Sequence, residues 1–169
     1  MQELVGKVKN WFRDRGLNKG DPKKQVVKLF EELGELAGGV ARNKRDIIID
    51  SIGDILVVLI GLSLQTNSIY DFDEKIDLDS EEEKLLMLFQ ALGSISFLMT
   101  DAVVVSDDIT ESDMAVEESI MIAYSWLNAF SNELGLNCEE CLAVAYDEIK
   151  DRKGKLINGV FIKEEDLLS

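Results

Sequence analysis

Residues 46–66, DIIIDSIGDILVVLIGLSLQT, decide how this chain folds. The stretch predicts a helix over about 47–66, with Asp46 as its N-cap, and apolar side chains lie on nearly every side of it. A helix that is apolar all round is buried, so we expect this one at the centre of the molecule. Asp50 and Asp54 lie within it, and buried carboxylates are unfavourable unless cations or hydrogen bonds compensate them.

The segment before this stretch predicts a partner helix. Asp21 followed by Pro22 is a typical helix start, because the carboxylate accepts hydrogen bonds from exposed N–H groups and proline fits the first turn. The helix should run to about Arg42. Its predicted buried stripe is Val26, Phe30, Leu33, Ala37 and Val40, and its glycines allow another helix to approach closely at Gly34, Gly38 and Gly39.

The rest of the chain also has apolar residues at helical spacing, with only 12 glycines and one proline in 169 residues. Further helices are predicted over about 2–15, 83–105, 113–134 and 138–153. We therefore expect one all-α domain, a bundle of about five to six helices. It divides into a motif-bearing half (1–67), an acidic loop without a structured core (68–82), a second helical half (83–153) and a tail (154–169). Asn158-Gly159 in the tail predicts a short β-hairpin.

Composition excludes several classes of function. The chain has no histidine, which excludes His-based catalysis and His-ligated zinc. A net charge of −15 argues against nucleic acid and anionic membranes as partners, so a polyanionic substrate would need a bridging divalent cation. Cys138 and Cys141 form a lone C-x-x-C, which we interpret as two helix-face residues in a reduced compartment. No apolar signal segment stands at the N-terminus, so we expect a cytoplasmic protein.

Four acids have spacings that suit a metal site. Glu32 and Glu35 are three residues apart on one predicted helix, and Asp50 and Asp54 are four apart on the next, so each pair shares a helix face. Two antiparallel helices would bring these like charges together, which is unfavourable unless a divalent ion neutralises them. Hard oxygen ligands favour Mg²⁺, with Mn²⁺ as a substitute. The alternative, a solvated acidic face, fits Glu31, Glu32 and Glu35 better than it fits the two aspartates.

Two runs carry a resemblance to a known family. KLFEELGELA (28–37) and IDSIGDILVVL (49–59) resemble the E-x-x-E and E-x-x-D signature of the MazG-like all-α nucleoside triphosphate pyrophosphohydrolases. The segments WFRDRGL (11–17) and AYDEIKDRKG (145–154) resemble flanking parts of its bacterial and phage-type members. The resemblance implies Mg²⁺-dependent hydrolysis of NTP or dNTP to nucleoside monophosphate and pyrophosphate, for nucleotide pool sanitation or control.

The resemblance also implies a set of ligands. Glu32, Glu35 and Asp54 match acids that hold the metal and support catalysis. The family's third acid falls at Ser51, with Asp50 one residue earlier, so Asp50 is the displaced candidate for the fourth ligand. Glu31 could fill the gap instead. Glu118 could also fill it. If residues 89–95 are a faint repeat of residues 30–36, then the segment 116–120, which contains Glu118, corresponds to the segment around Asp50.

Substrate contacts are predicted around the acids. The resemblance places a basic stretch, here Lys150, Arg152 and Lys153, near the phosphates, and Lys28 lies one helical turn before Glu32. Compensation of a helix dipole and i,i+4 pairing explain these cations equally well. Trp11 is a candidate to stack on a base, although its spacing with neighbouring apolar residues also suits a core position.

Two other functions stay open at this point: a nucleotide-binding or regulatory helical protein without turnover, and a helical bundle without a ligand. The glycine-rich face of the second helix and the apolar third helix indicate packing beyond one chain, so we expect a homodimer or a dimer of dimers. No motif indicates which base or sugar is preferred.

Overall fold

The computed structural model describes residues 1–70, 72, 83–105, 109–157 and 160–164, without the side chains of 99–105, 109–113, 156, 160 and 163. Its helices are α1 (Gln2–Asp14), α2 (Pro22–Ala41), α3 (Arg45–Gln65), α4 (Lys84–Val105), α5 (Ile109–Glu133) and α6 (Cys138–Ile149), with a short 3-10 turn at Leu17–Lys19. Two antiparallel strands follow, β1 (Gly154–Ile157) and β2 (Val160–Lys163). The predicted all-α bundle with a C-terminal hairpin is confirmed.

Helix α3 is the centre of the fold, as its sequence predicts. Thirteen of its 21 residues are buried, and α1, α2, α5 and α6 all pack against it. By length and composition α3 is also apolar enough to cross a membrane, but 72% of its most apolar stretch of 18 residues is buried inside the protein. That burial is typical of the core helix of a soluble protein.

Helices α2 and α3 form an antiparallel hairpin. Its tight connection uses Asn43 with a positive φ of 51° and a hydrogen bond of 2.9 Å from Lys44 N to the Gly39 carbonyl. Gly39 packs against Ile47, and Gln25 lies beside Gly61 near the other end of the pair. This register places Glu32 of α2 across from Asp54 of α3.

The buried stripe of α2 differs from the predicted one. Val26 and Leu33 are buried as expected, but Phe30 is 44% exposed, and the positions that fill the interface with α3 are Leu29 and Leu36. The stripe therefore runs Val26, Leu29, Leu33, Leu36, at spacings of three and four residues. Ala37 and Val40 are half-buried at its edge. Leu29 and Leu36 bury their apolar surface against α3, and Phe30 and Ala37 therefore lie at the rim of the interface.

Gly53 lets α6 approach α3 closely. A Cβ at Gly53 would collide with the Cys141 carbonyl and lie 2.8 Å from the Cβ of Ala145. Cys138 and Cys141 are both buried on α6 without a disulfide, as their helix-face interpretation requires, with Cys141 at the contact with α3 and Cys138 Sγ 3.4 Å from Ser131 Oγ of α5. Burial raises the pKa of Cys141 to about 11, so its thiol stays protonated and unreactive at neutral pH.

Several boundaries differ from the predicted ones. Helix α3 has Lys44 as its N-cap rather than Asp46, which lies in the first turn. Helix α5 begins at Ile109, four residues before the predicted start, and α6 ends at Ile149 rather than near Lys153. Asn137 caps α6 as predicted, and its Oδ1 accepts hydrogen bonds from the backbone N–H groups of Glu139 and Glu140.

The chain after α3 is better packed than its composition predicts. Tyr70 and Phe72 are 6% and 1% exposed and contact Tyr124 of α5 through their rings. Glu117 of α5 holds the same segment by accepting a hydrogen bond of 2.9 Å from Ile69 N. The expectation of no structured core after α3 is therefore wrong at these two aromatic residues. The remainder of the acidic loop and the Asn158-Gly159 turn lie outside the described residues.

Candidate functional site

A cavity of about 340 Å³ opens between α1, α2, α3 and the segment after α6. Its volume is within the range of small-molecule sites, about 300–1,000 Å³. One end carries two carboxylates, Glu32 and Asp54, and the other carries two carboxamides, Gln25 and Gln65. Three cations, a glycine and seven apolar residues complete the lining: Lys24, Lys28 and Arg152, then Gly20, and then Trp11, Phe12, Leu17, Val57, Val58, Ile149 and Phe161.

Glu32 is a buried acid with a cation on it. Glu32 is 3% exposed, and its Oε1 lies 2.6 Å from Lys28 Nζ. The same ammonium group lies 3.1 Å from Glu31 Oε2. Burial raises the pKa of Glu32, and the hydrogen bond and charge of Lys28 oppose that rise. For Lys28, partial burial lowers the pKa, but the bonds to Glu32 and Glu31 outweigh it and leave a net rise. The ion pair holds both side chains at the cavity wall.

Among the described residues, Asp54 has the carboxylate whose pKa is shifted most. Burial is the largest cause, and the neighbouring charges of Glu32 and Asp50 add to it, so the pKa of Asp54 rises to about 7. Lys28 opposes this shift without cancelling it. The acid end therefore holds more negative charge than Lys28 alone compensates, a situation that a second cation would relieve.

The displaced acid, Asp50, has an unusual environment. Its Oδ1 is inaccessible to water and has no hydrogen-bond partner among the residues that the structure describes. Ser51, at the position of the family's third acid, is 1% exposed, and its Oγ has no described partner either. An unpaired buried polar atom costs about 1–3 kcal/mol, and more when charged. A cation near Asp50 would supply the missing partner.

The predicted ligands come together as a pair and not as a set of four. Glu31 and Glu35 lie on the exposed side of α2, and neither lines the cavity. Glu118 is exposed on α5. Within the described ranges, no three acid or cysteine side chains converge into a metal-binding group. Glu32 and Asp54 supply hard oxygen atoms of the kind that Mg²⁺ prefers, whereas Glu35 would have to turn toward them to join such a site.

Trp11 is a core residue whose ring also borders the cavity. It is 8% exposed, and its Nε1 donates a hydrogen bond of 2.7 Å to the Ile149 carbonyl. Phe12 and Phe161 meet it edge-on, with ring centroids 5.4 and 5.7 Å away, and the Arg15 guanidinium lies 4.5 Å from its ring centroid. Trp11 is thus packed as a core residue, and one part of its ring also forms a wall of the cavity.

Of the three predicted C-terminal cations, Arg152 lines the cavity, and Lys150 and Lys153 do not. Lys150 instead pairs with Asp147 at 2.8 Å on the surface. Arg15 fixes the segment by donating to the Arg152 carbonyl at 2.8 and 3.0 Å. The chain after α6 is thereby held against α1, with Arg152 at the cavity.

Ten lining residues were not predicted as site residues: Lys24, Gln25, Gln65 and Phe161, together with Phe12, Leu17, Gly20, Val57, Val58 and Ile149. Lys24 carried a usable signal, because it lies one turn before Lys28 on the same helix face. The two glutamines and Phe161 carried none, since only the packing of distant segments brings them to this cavity.

Comparison with known proteins shows similarity to a protein of a bacteriophage. The chain is 48% identical over 77 residues to "Uncharacterized 18.2 kDa protein in rep-hol intergenic region" of Haemophilus phage HP1 (strain HP1c1). The match covers 45% of this chain and 47% of the relative, so it spans about half the length of each. The relative's name states no activity. No protein-family model and no solved structure matches the chain.

Proposed function

We propose that this protein hydrolyses nucleoside triphosphates, NTP or dNTP, to nucleoside monophosphate and pyrophosphate in the cavity between α2 and α3, with Mg²⁺. The observation that carries the proposal is that the buried Glu32 and the half-buried Asp54 lie with three cations in one cavity of a protein of net charge −15. A polyphosphate with its metal ion needs both kinds of group. The MazG-like resemblance of the same residues supports the same chemistry.

Each group would have a distinct role. Glu32 and Asp54 would hold Mg²⁺, with Asp50 and a reoriented Glu35 as the further candidates. When bound, the ion supplies neutralisation of phosphate charge and a more acidic water. Lys24, Lys28 and Arg152 would bind phosphate oxygens and steady the departing pyrophosphate. Carboxylate oxygens that are not on the ion accept hydrogen bonds from the attacking water and orient it.

The test is pyrophosphate release from a panel of NTPs and dNTPs with Mg²⁺. Asp54→Asn and Glu32→Gln should each lower kcat/KM by about 100-fold or more, since each removes a charge that the reaction needs. Glu118→Gln, an exposed acid on α5, is the matched control and should retain full activity. An absence of turnover on every nucleotide would contradict the enzyme proposal.

A second candidate is a nucleotide-binding or regulatory protein without turnover. The absence of a converged group of three acids among the described residues, together with Ser51 at the third position, favours it. A nucleotide that raises the melting temperature with Mg²⁺ but releases no pyrophosphate would support this candidate. A bundle without any ligand predicts no shift with either addition.

We also propose a cytoplasmic homodimer or dimer of dimers. The apolar α3 is satisfied within one chain, so the support comes from exposed apolar residues on the neighbouring helices α2 and α4: Val27, Phe30, Leu86 and Phe97. Light scattering tests the assembly, and a monomer at micromolar concentration would contradict it.

A further inference from the structure

Lys28 bonds to two acids of its own helix at once. Its Nζ lies 2.6 Å from Glu32 Oε1 and 3.1 Å from Glu31 Oε2. The Glu32 side chain is 4% exposed, whereas the Lys28 side chain is 47% exposed and lines the cavity with it. The ammonium group of a half-exposed lysine is thus the cation that compensates this buried carboxylate.

A divalent ion on Glu32 would meet the same ammonium group. Mg²⁺ binds a carboxylate oxygen at about 2.0–2.1 Å. With Lys28 Nζ at 2.6 Å from Oε1, an ion on either oxygen of Glu32 would lie no more than about 7 Å from that nitrogen. This separation is shorter than the screening length of about 8 Å at physiological salt, so the two cations repel each other. Lys28 and Mg²⁺ are therefore competitors for Glu32.

Lys28 has a second group of partners within reach once it leaves Glu32. Lysine carries its charge on a flexible four-carbon stem, and this stem is half-exposed at the cavity. Lys24, about one turn earlier on α2, and Arg152 line the same cavity. Phosphate groups bound by these two cations would also come close to the Lys28 ammonium group. The remaining pair with Glu31 is exposed and holds the lysine only weakly.

We propose that Lys28 exchanges partners during binding: it gives up Glu32 to Mg²⁺ and then donates a hydrogen bond to a phosphate oxygen of the substrate. This inference rests on the proposed function for the identities of the ion and the phosphate. Lys28 then opposes binding of the ion alone and favours binding of the ion together with phosphate. By linkage, the site discriminates between free Mg²⁺ and the metal complex of a polyphosphate.

The first test compares two binding constants of the full chain by calorimetry. One is for Mn²⁺ alone, and the other is for pyrophosphate in saturating Mg²⁺. Lys28→Met should bind Mn²⁺ about five- to tenfold more tightly than the wild type, because the competitor for Glu32 is gone. The same variant should bind pyrophosphate about tenfold more weakly, because a phosphate donor is lost. Loss of a residue that serves the fold alone would not change the two affinities in opposite directions.

Two lysine variants control for charge. Lys24→Met removes a cation of the same cavity about one turn earlier and should change the Mn²⁺ affinity by less than about twofold. Lys28→Arg keeps the charge beside Glu32 and should restore weak Mn²⁺ binding. Lys28→Gln carries the test if Lys28→Met does not fold.

The second test follows the Lys28 amine itself. Acetic anhydride in limiting amount acetylates exposed lysines, and mass spectrometry gives the rate at each one. In the wild type, Mn²⁺ should raise the rate at Lys28 by about threefold or more, because Glu32 and Glu31 no longer cover the amine. Adding pyrophosphate should lower it again. Lys23, which is exposed on α2 and does not line the cavity, should react at one rate throughout.

Three results would overturn the exchange: the wild type binds no Mn²⁺, Lys28→Met binds it no more tightly, or the Lys28 amine does not become more reactive with it. The pyrophosphate-release assay separates this failure from failure of the proposed function. Turnover by the wild type with an unchanged Mn²⁺ affinity in Lys28→Met would overturn the exchange alone. Exchange without turnover on any nucleotide would overturn the enzyme proposal and leave the exchange intact.

Discussion

Asp54 links the chemistry of the cavity to the stability of the protein. Its pKa is about 7 because burial removes water from it and Glu32 and Asp50 add negative charge. An aspartate in an unfolded chain has a pKa of about 3.9. The native state therefore binds a proton more tightly than the unfolded state does, and ionising Asp54 weakens the fold.

The sign of this linkage gives the first prediction. Between about pH 4 and pH 7 the native state carries more protons at Asp54 than the unfolded state, so its contribution to stability falls as pH rises and is lowest above pH 7. Asp54→Asn should flatten the fall in melting temperature over this window, measured in EDTA. Asp46→Asn, an exposed aspartate on the same helix, should keep the wild-type slope. An unchanged slope in Asp54→Asn would contradict the assignment.

The candidate site shows what could be predicted residue by residue. The pair of Glu32 and Asp54 was predictable, because i,i+3 and i,i+4 spacing on two helices joined by a short turn brings carboxylates face to face. The exposure of Glu35 was not, since it depends on how far α2 is rotated against α3. The carboxamide end was not predictable either, because Gln25 and Gln65 meet only through the α2–α3 register.

At the scale of helices, glycines set how closely the elements approach. Gly53 lies where α6 crosses α3, and Gly61 lies where the Phe12 ring packs between α1 and α3. Both positions are small because a neighbour occupies the space that a side chain would need. Gly6 on α1, in contrast, has no heavy atom within 4 Å of its ideal Cβ position.

The second prediction compares two of these glycines. Gly53→Ala should lower the free energy of unfolding by about 1–3 kcal/mol, because the new methyl group collides with the Cys141 carbonyl and forces α6 away. Gly6→Ala should be neutral or raise stability by up to about 1 kcal/mol, since alanine is the better helix former and space is free. Urea unfolding followed by circular dichroism measures both, and equal effects would contradict the packing argument.

Helices were predicted correctly where apolar residues recur at helical spacing over a long segment. Prediction failed where the burial or exposure of a single aromatic residue determines the packing. Helices α1 to α6 were each predicted, with boundaries that lie within four residues of those observed and coincide with them at four helix ends. The acidic composition after α3 concealed the burial of Tyr70 and Phe72, because two aromatic rings can anchor an otherwise polar segment. Phe30 shows the converse, an aromatic residue that stays exposed because leucines already fill the α2–α3 interface.

For the whole molecule, the excess of acids opposes folding. The chain has 33 acidic and 18 basic residues, and a compact state holds these like charges closer together than an unfolded one does. Salt shortens the screening length from about 30 Å at 0.01 M to about 10 Å at 0.1 M.

The third prediction follows from that repulsion. The melting temperature should rise when NaCl is increased from about 0.01 M to about 0.1 M, because screening relieves the native state more than the unfolded state. The measurement is made in EDTA so that no divalent cation contributes. A melting temperature that falls with salt would mean that local ion pairs, such as Lys28 with Glu32, outweigh the net repulsion.

Because the indole of Trp11 bonds to the Ile149 carbonyl, the cavity depends on contacts between residues separated by 138 positions. A ribosome finishes α3 eighty-four residues before it finishes α6, an interval of about 4 to 17 s at about 5 to 20 residues per second. During that time the apolar surface that α6 later covers stays open on the nascent chain. The cavity is therefore complete only after translation has passed Phe161, the last residue of its lining.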